Sequence, residues 1–139
     1  MATRHKAKHK LTAKDLFGYQ VLSSISISPN EQHVAYVVER IDSEDNKYYT
    51  NLHMLNLKTG DSTQFTHGKQ SDSKPSWSPD GQQIAFYHDE IGPSGTQRRL
   101  YATSPLGGSP RKLSDFPARS GRPSWSRDGR WLAVAKARV

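Results

Sequence analysis

The sequence predicts an all-β fold made of four-stranded antiparallel blades, and two internal repeats within its 139 residues lead to this prediction. The first repeat is a strand, turn and strand at residues 75–86, which returns at 123–134 and, in a more divergent form, at 25–36. Its turn serines, Ser28, Ser78 and Ser126, are 50 and 48 residues apart. This period is typical of β-propeller blades, so we expect an incomplete propeller of about two and a half blades.

The turn of this first repeat has the residue types that a hairpin needs. Pro79 presets φ, Asp80 can hydrogen-bond the nearby backbone, and Gly81 can adopt the left-handed conformation that ends such a turn. In the divergent copy Glu31 occupies the glycine position. Because a positive φ is costly for a residue with a Cβ atom, we expect a different turn type there.

The strands that flank the turn carry apolar residues on both faces. Ile84 and Phe86 lie on one face of a predicted strand, and Ala85 and Tyr87 lie on the other. Neighbouring sheets should therefore cover each strand on both sides, as they do in stacked blades.

A second repeat supplies the other two strands of each blade. Residues 52–66 read as strand, turn and strand, and residues 100–114 repeat them 48 positions later, with Gly60 matching Gly108. The predicted organisation is a basic disordered tail at 1–10 and a partial propeller at 11–139, with blade 1 at about 24–67, blade 2 at about 74–116 and half of blade 3 at 122–139.

The connecting segments follow from local signals. Residues 11–17 predict a short helix before the first blade, with Thr12 as its N-cap and Asp15 near the third helical position. The polar stretch 40–50 and the Gly/Pro/Ser stretch 92–96 are predicted to be exposed loops.

Composition favours a cytoplasmic product. There is no cysteine, no apolar run of the roughly 20 residues that span a membrane, and no apolar segment after the basic residues at the start. The net charge of +7 is concentrated at the two ends, since residues 15–110 carry a net charge of −4. Without interleaved aromatic residues or a recognition element, we read the basic ends as solvated charge and expect no nucleic-acid binding.

No residue is assigned a catalytic, cofactor-binding or metal-binding role. The sequence lacks a Gly-x-Ser-x-Gly elbow, a phosphate-binding glycine loop and a His-Glu-x-x-His motif. His5 and His9 have a helical ligand spacing without a nearby carboxylate, and the spacing of Asp42, Glu44 and Asp45 does not match a calcium loop.

The remaining candidate residues are explained by the repeat. They are the recurring serines, tryptophans and turn aspartates and four scattered histidines, namely Ser76, Ser78, Ser124, Ser126, Trp77, Trp125, Asp80, Asp128, His33, His53, His67 and His88. We interpret the tryptophans as packing residues of the first strand, and the histidines as surface or half-buried side chains.

The same residues resemble the start of a prolyl oligopeptidase family serine peptidase, of the acylaminoacyl peptidase and dipeptidyl-peptidase-like branch. The similarity covers nearly all of residues 11–139 and rests on the segments 11–16, 27–30, 34–38, 51–60 and 77–81. The Trp-Ser-Pro-Asp-Gly turn is also found in Tol-system propellers. The Leu-Thr-x-x-Asp-Leu segment that leads straight into the first blade favours the peptidase.

The resemblance implies a propeller of seven or eight blades that covers the active site of an α/β-hydrolase domain and admits short peptides. The Ser, Asp and His of that domain match no position here, because the region would lie beyond Val139. By itself the chain is therefore expected to be inactive. We expect either an N-terminal fragment or copies that associate through open strands, and the alternative function is a non-enzymatic, protein-binding propeller.

Overall fold

The computed structural model describes residues 10–119 and 121–138 and contains three antiparallel sheets. The strands are β1 (Gln20–Ile27), β2 (His33–Asp42), β3 (Lys47–Asn56), β4 (Ser62–Gln64), β5 (Asp72–Trp77), β6 (Ile84–Gly92), β7 (Gly95–Thr103), β8 (Arg111–Lys112), β9 (Ser124–Trp125) and β10 (Leu132–Ala133). Blade 1 has the order β1-β2-β3-β4, blade 2 has the order β5-β6-β7-β8, and blade 3 pairs β9 with β10. The predicted fold of four-stranded antiparallel blades is confirmed.

A short 3-10 helix, Ala13–Gly18, precedes β1 where the sequence predicted a helix. Thr12 is its N-cap, and the Asp15 carboxylate accepts hydrogen bonds from the Thr12 backbone N–H at 2.6 Å and from the Thr12 hydroxyl at 2.9 Å. The first of these bonds satisfies the backbone N–H of the N-cap residue, which has no partner within the helix. Within residues 10–119 and 121–138 no helix is long and apolar enough to cross a membrane.

The turn between β5 and β6 has the predicted geometry. Gly81 has a φ of +70°, and its backbone N–H donates to the Ser78 carbonyl at 2.9 Å. The Ser78 hydroxyl donates to the Asp80 carboxylate at 2.6 Å and accepts from the Gln83 N–H at 2.9 Å. Blade 3 repeats these bonds through Ser126, Asp128, Gly129 and Trp131.

The turn between β1 and β2 corrects one prediction. We expected a different turn type because Glu31 replaces glycine, but Glu31 adopts a φ of +57° and donates to the Ser28 carbonyl at 2.9 Å. The Ser28 hydroxyl donates to Asn30 at 2.7 Å and accepts from the His33 N–H at 2.9 Å. The same serine-centred hydrogen bonds therefore hold all three turns, and they hold Glu31 in a left-handed conformation despite its Cβ atom.

The predicted loops at 40–50 and 92–96 are largely strand. β2 and β3 remain paired out to Asp42 and Lys47, so only residues 43–46 form the turn. β6 and β7 pair as far as Gly92 and Gly95, which leaves a two-residue turn. The prediction of an 11-residue loop was wrong because Tyr48 and Tyr49, which favour strand conformation, extend the ladder.

The first strand of each complete blade contains a bulge that the sequence did not reveal. The pairing of β1 with β2 shifts between Ser23 and Ser26, where Ser24 has a φ of +52°. The pairing of β5 with β6 shifts in the same way around Lys74, whose φ is +54°. The two bulges lie 50 residues apart, so this irregularity is itself part of the repeat.

The core lies between blades. Ala35 and Met54 of blade 1 pack against Trp77 and Ile84 of blade 2. On the other side of blade 2, the buried residues Ala85, Tyr87 and Leu100 pack against the partly buried Trp125, Leu132 and Val134 at blade 3. The prediction that neighbouring sheets cover both faces is confirmed for blade 2.

Blade 1 has one uncovered face. Val21, Leu22, Ile25 and Ile27 of β1 are 56 to 63% exposed in the described part of the chain. Leu22 pairs with Val38 and Ile27 with Val34, positions that alternate with Ala35 and Val37 facing blade 2. Leu22 and Ile27 therefore lie on the face of blade 1 opposite blade 2.

Candidate functional site

A buried aspartate and a histidine form a hydrogen-bonded pair near the start of blade 2. Asp72 begins β5 and lies directly opposite His88 of β6. The Asp72 carboxylate is fully buried, and its Oδ1 atom lies 2.7 Å from Nδ1 of His88. Its Oδ2 atom accepts a 2.7 Å hydrogen bond from Nε2 of Gln70. Both carboxylate oxygens therefore have a hydrogen-bond partner, His88 for one and Gln70 for the other, as a buried acid requires.

The surroundings of His88 favour its protonated form. The hydrogen bond to Asp72 is the largest cause of a raised His88 pKa, and burial opposes it. The ring of Tyr101 meets the His88 ring edge-on with centroids 5.2 Å apart, and the Tyr101 hydroxyl donates to Glu90. Burial, and next the Glu90 hydrogen bond, raise the pKa of Tyr101 to about 12, so this phenol stays a neutral donor.

The pair borders a pocket of about 410 Å³ at the interface of blades 1 and 2. Phe65 of blade 1 and Phe86 and Tyr101 of blade 2 supply its aromatic wall. Thr103, at the end of β7, also lines the pocket, and its buried hydroxyl has no hydrogen-bond partner. Pockets of this size with an aromatic lining and a few polar groups are typical of small-molecule sites.

The repeat shows that the fold does not require this polar pair. In blade 1 the equivalent positions, 50 residues earlier, are Leu22 and Val38, which are also directly paired. The sequence alone indicates an isolated histidine at position 88, because the partnership with Asp72 appears only after the two strands are aligned in register. The useful signal was Asp72, an acid at a strand position where blade 1 has leucine.

The tryptophans confirm the packing interpretation and add a bond between blades. The Nε1–H of Trp77 donates to the Ser26 carbonyl of blade 1 at 3.1 Å. The Nε1–H of Trp125 donates to the Ser76 carbonyl of blade 2 at 3.1 Å. Each indole therefore packs between blades and also satisfies its donor on the strand of the preceding blade.

The acidic cluster at the end of β2 and in the turn to β3 surrounds a lysine. The carboxylates of Asp42, Glu44 and Asp45 have oxygens within 4.8 Å of one another. The Lys69 ammonium lies 3.2 Å from Asp42, 3.0 Å from Glu44 and 3.0 Å from Asp45. The position that a cation would take is held by this side chain, so the cluster ties the hairpin to the segment between the blades.

Other candidate residues from the sequence that the structure describes take part in interactions that stabilise the fold. The turn serines and turn aspartates bond to one another, and the Ser78 hydroxyl lowers the pKa of Asp80. In the described part of the chain no hydroxyl hydrogen-bonds to His88, so the Asp72–His88 pair lacks the nucleophile of an acyl-transfer site. His5 and His9 lie outside the described residues.

Comparison of sequences identifies a peptidase as a relative. The chain is 35% identical over 127 residues to the uncharacterized peptidase YuxL of Bacillus subtilis, a match that covers 91% of the chain and 19% of the relative. No family model matches the chain.

Comparison of structures leads to the same class of protein. The chain superposes on the Pyrococcus horikoshii acylaminoacyl peptidase with a TM-score of 0.69 and 25% identity, over 87% of this chain and 18% of that one. It matches the β-propeller domain of the Trilobed protease from Pyrococcus furiosus with a TM-score of 0.64 and 24% identity, over 84% and 34%. TolB from Acinetobacter baumannii shares the fold, with a TM-score of 0.64 and 19% identity over 81% and 26%.

These matches confirm the resemblance that the sequence motifs predicted. The chain is a stretch of β-propeller similar to that of acylaminoacyl peptidases. It spans about a fifth of the length of the peptidases that it matches.

Proposed function

We propose that this stretch of propeller works as part of a cytoplasmic serine peptidase of the prolyl oligopeptidase family, where it helps to restrict the active site to short peptides. The observation that supports this most directly is the joint match to a peptidase by sequence and to an acylaminoacyl peptidase by structure, over about nine-tenths of the chain in each case.

In this proposal the chemistry belongs to an α/β-hydrolase domain outside the chain. Such a domain would supply the nucleophile, the base and the oxyanion donors, none of which the described residues assemble. The blades would act by exclusion, because a rigid wall around the active site leaves room for an extended peptide to enter and keeps a folded protein out.

The structure of the blades suits a rigid wall. Blades 1 and 2 share a buried core that includes Ala35, Trp77 and Ile84, and the Trp77 indole bonds the two blades directly. Tightly packed interfaces of this kind resist deformation, so neighbouring blades should move together as a unit.

The first test is the size and reactivity of the native polypeptide. An antibody against residues 40–50 recognises the hairpin of β2 and β3, whose tip at 43–46 is exposed. Because the 127 matched residues are 19% of the relative, we expect a band of roughly 70 kDa, the size of a propeller joined to a second domain. The captured protein should be labelled by a serine-directed fluorophosphonate probe.

The second test is selectivity by substrate size. The captured protein should cleave a blocked peptide of about five residues and leave the same sequence uncut when a folded protein carries it in a surface loop. A preparation that is never labelled would contradict the peptidase and support the non-enzymatic binding propeller. A labelled preparation that cleaves both substrates equally would retain the peptidase and contradict the exclusion role.

A further inference from the structure

The pocket between blades 1 and 2 has features that the stacking of blades does not explain. A buried, hydrogen-bonded acid–histidine pair, Asp72 and His88, stands where blade 1 has Leu22 and Val38. Burying a carboxylate carries a desolvation cost that an apolar pair avoids, and in blade 1 an apolar pair, with Leu22 exposed, occupies the same strand register. The pair therefore points to a role in binding.

The chemistry of the lining indicates what would bind. Phe65 and Tyr101 line the pocket from opposite blades, and each is only partly buried. The Tyr101 ring is held in place by the His88 ring and by the hydroxyl bond to Glu90. Aromatic side chains facing a pocket favour a flat apolar ligand, which stacks offset or edge-on.

His88 provides the polar end of the pocket. Its Nδ1 atom is engaged by Asp72, and its Nε2 atom makes no hydrogen bond within residues 10–119 and 121–138. Nε2 donates when the imidazole is protonated and accepts when it is neutral. An amide carries both a carbonyl and an N–H, so an amide pairs with Nε2 in either state.

Thr103 provides a second polar position. Thr103 is 6% exposed and lines the pocket, and its hydroxyl has no hydrogen-bond partner. Rotation about χ1 exchanges the hydroxyl with the methyl group and breaks no existing hydrogen bond. A ligand that offers a polar group there would satisfy a hydroxyl that is otherwise unpaired.

The balance of charge favours a neutral ligand. Asp72 pairs with His88, Glu90 pairs with Arg99 and Lys112, and Asp89 pairs with Arg98. We propose that this pocket binds a small neutral aromatic amide, with the ring between Phe65 and Tyr101, the amide at His88 and a second polar group at Thr103. This proposal does not depend on the peptidase function.

The test uses N-acetyltyrosinamide as the probe and the 139-residue chain labelled with ¹⁵N. We expect saturable shifts of the backbone amides at residues 65–67, 72, 88 and 101–103, with a Kd on the order of 0.1–1 mM for a ligand of this size. N-acetylalaninamide, which lacks the ring, should bind at least about tenfold more weakly.

Two variants separate binding from folding. Thr103→Val removes the unpaired hydroxyl and keeps the shape of the side chain. It should leave the Tm unchanged or raised and weaken binding of the probe about fivefold to tenfold. The double variant Asp72→Leu, His88→Val copies blade 1 and should lose binding by about tenfold or more. Thr63→Val, the same chemical change at an exposed position of β4, should leave binding unchanged.

Three results would overturn the proposal. They are shifts that do not saturate or that lie elsewhere on the blades, equal binding by the Thr103 and Thr63 variants, and equal binding of the tyrosine and alanine amides. A double variant that fails to fold leaves the Thr103 comparison to decide.

Discussion

Blades 1 and 2 have the same strand order and nearly the same length, and their differences include a turn residue, a strand residue beside the pocket and a packing residue between blades. The turn of blade 1 contains Glu31 where blade 2 has Gly81. Leu22 in blade 1 corresponds to the buried Asp72 in blade 2. Finally Ile27, 58% exposed, corresponds to Trp77, which is buried between blades.

The difference separates what the blade requires from what it tolerates. Both turns form around a serine hydroxyl, so this network is sufficient to hold the turn even without glycine. Both first strands pair across the same bulge, so the acid–histidine pair is an addition to the blade rather than a condition for it.

The tryptophan position should show the greatest difference in stability between the two blades. Trp77→Ala removes a large buried side chain and its bond to Ser26, and should lower the free energy of unfolding by about 3–5 kcal/mol. Ile27→Ala, at the matched exposed position, should lower it by less than about 1 kcal/mol. Urea unfolding measures both, and equal losses would mean that another blade or a second copy covers β1.

The next effect tests the polar pair by moving blade 1 chemistry into blade 2. His88→Val alone leaves the Asp72 carboxylate buried without its ring donor and should cost about 3 kcal/mol. The double variant Asp72→Leu, His88→Val should unfold within about 1 kcal/mol of the unchanged chain. Urea unfolding of the set decides this, since a double variant as unstable as the single one would make the pair necessary for packing.

A smaller effect concerns the left-handed turn residue. Glu31→Gly should raise the free energy of unfolding by about 0.5 kcal/mol, because relief of the positive φ exceeds the entropy that glycine adds to the unfolded chain. Gly81→Ala should lower it by about 1 kcal/mol. A Cβ atom at Gly81 would lie 3.8 Å from Cδ of Pro29, an ordinary contact, so the cost is conformational. Thermal unfolding that shows no change in either variant would contradict this account.

The smallest effect is a difference in acid sensitivity between the turns. The Ser78 and Ser126 hydroxyls lower the pKa values of Asp80 and Asp128, whereas blade 1 has the non-titrating Asn30. A folded-state pKa below the unfolded pKa of about 3.9 stabilises the fold at pH values above the unfolded pKa. This stabilisation is lost as the pH falls through the folded-state pKa.

The double variant Asp80→Asn, Asp128→Asn gives every turn the blade 1 chemistry. Its Tm should therefore fall less steeply than that of the unchanged chain between about pH 5 and pH 2. Parallel acid profiles of the two proteins would show that the turn aspartates carry none of the dependence.

Much of the fold was predictable because its signals are local. The Ser-Pro-Asp-Gly turn specifies its own geometry within four residues, and Thr12 with Asp15 mark the start of the short helix. The wrong predictions arose where other interactions outweighed the local conformational preference of a residue. The hydrogen bonds of Ser28 override the preference of Glu31, and cross-strand pairing turns most of residues 40–50 into strand.

The candidate site was much less predictable. Asp72 and His88 lie 16 residues apart, and they meet only because the bulge at Lys74 sets the register of β5 against β6. Thr103 and Phe65 join them from opposite sides of a blade interface. No local motif connects these four side chains.

The repeat length, the hairpin turns and the apolar strands could be read from the amino-acid sequence, because each depends on the preferences of residues close together in the chain. Tertiary packing sets which faces stack, which polar side chains border the pocket, and the bond from Trp77 to the Ser26 carbonyl 51 residues away. Those outcomes depend on strand register and blade packing, which bring together residues that are distant in the chain.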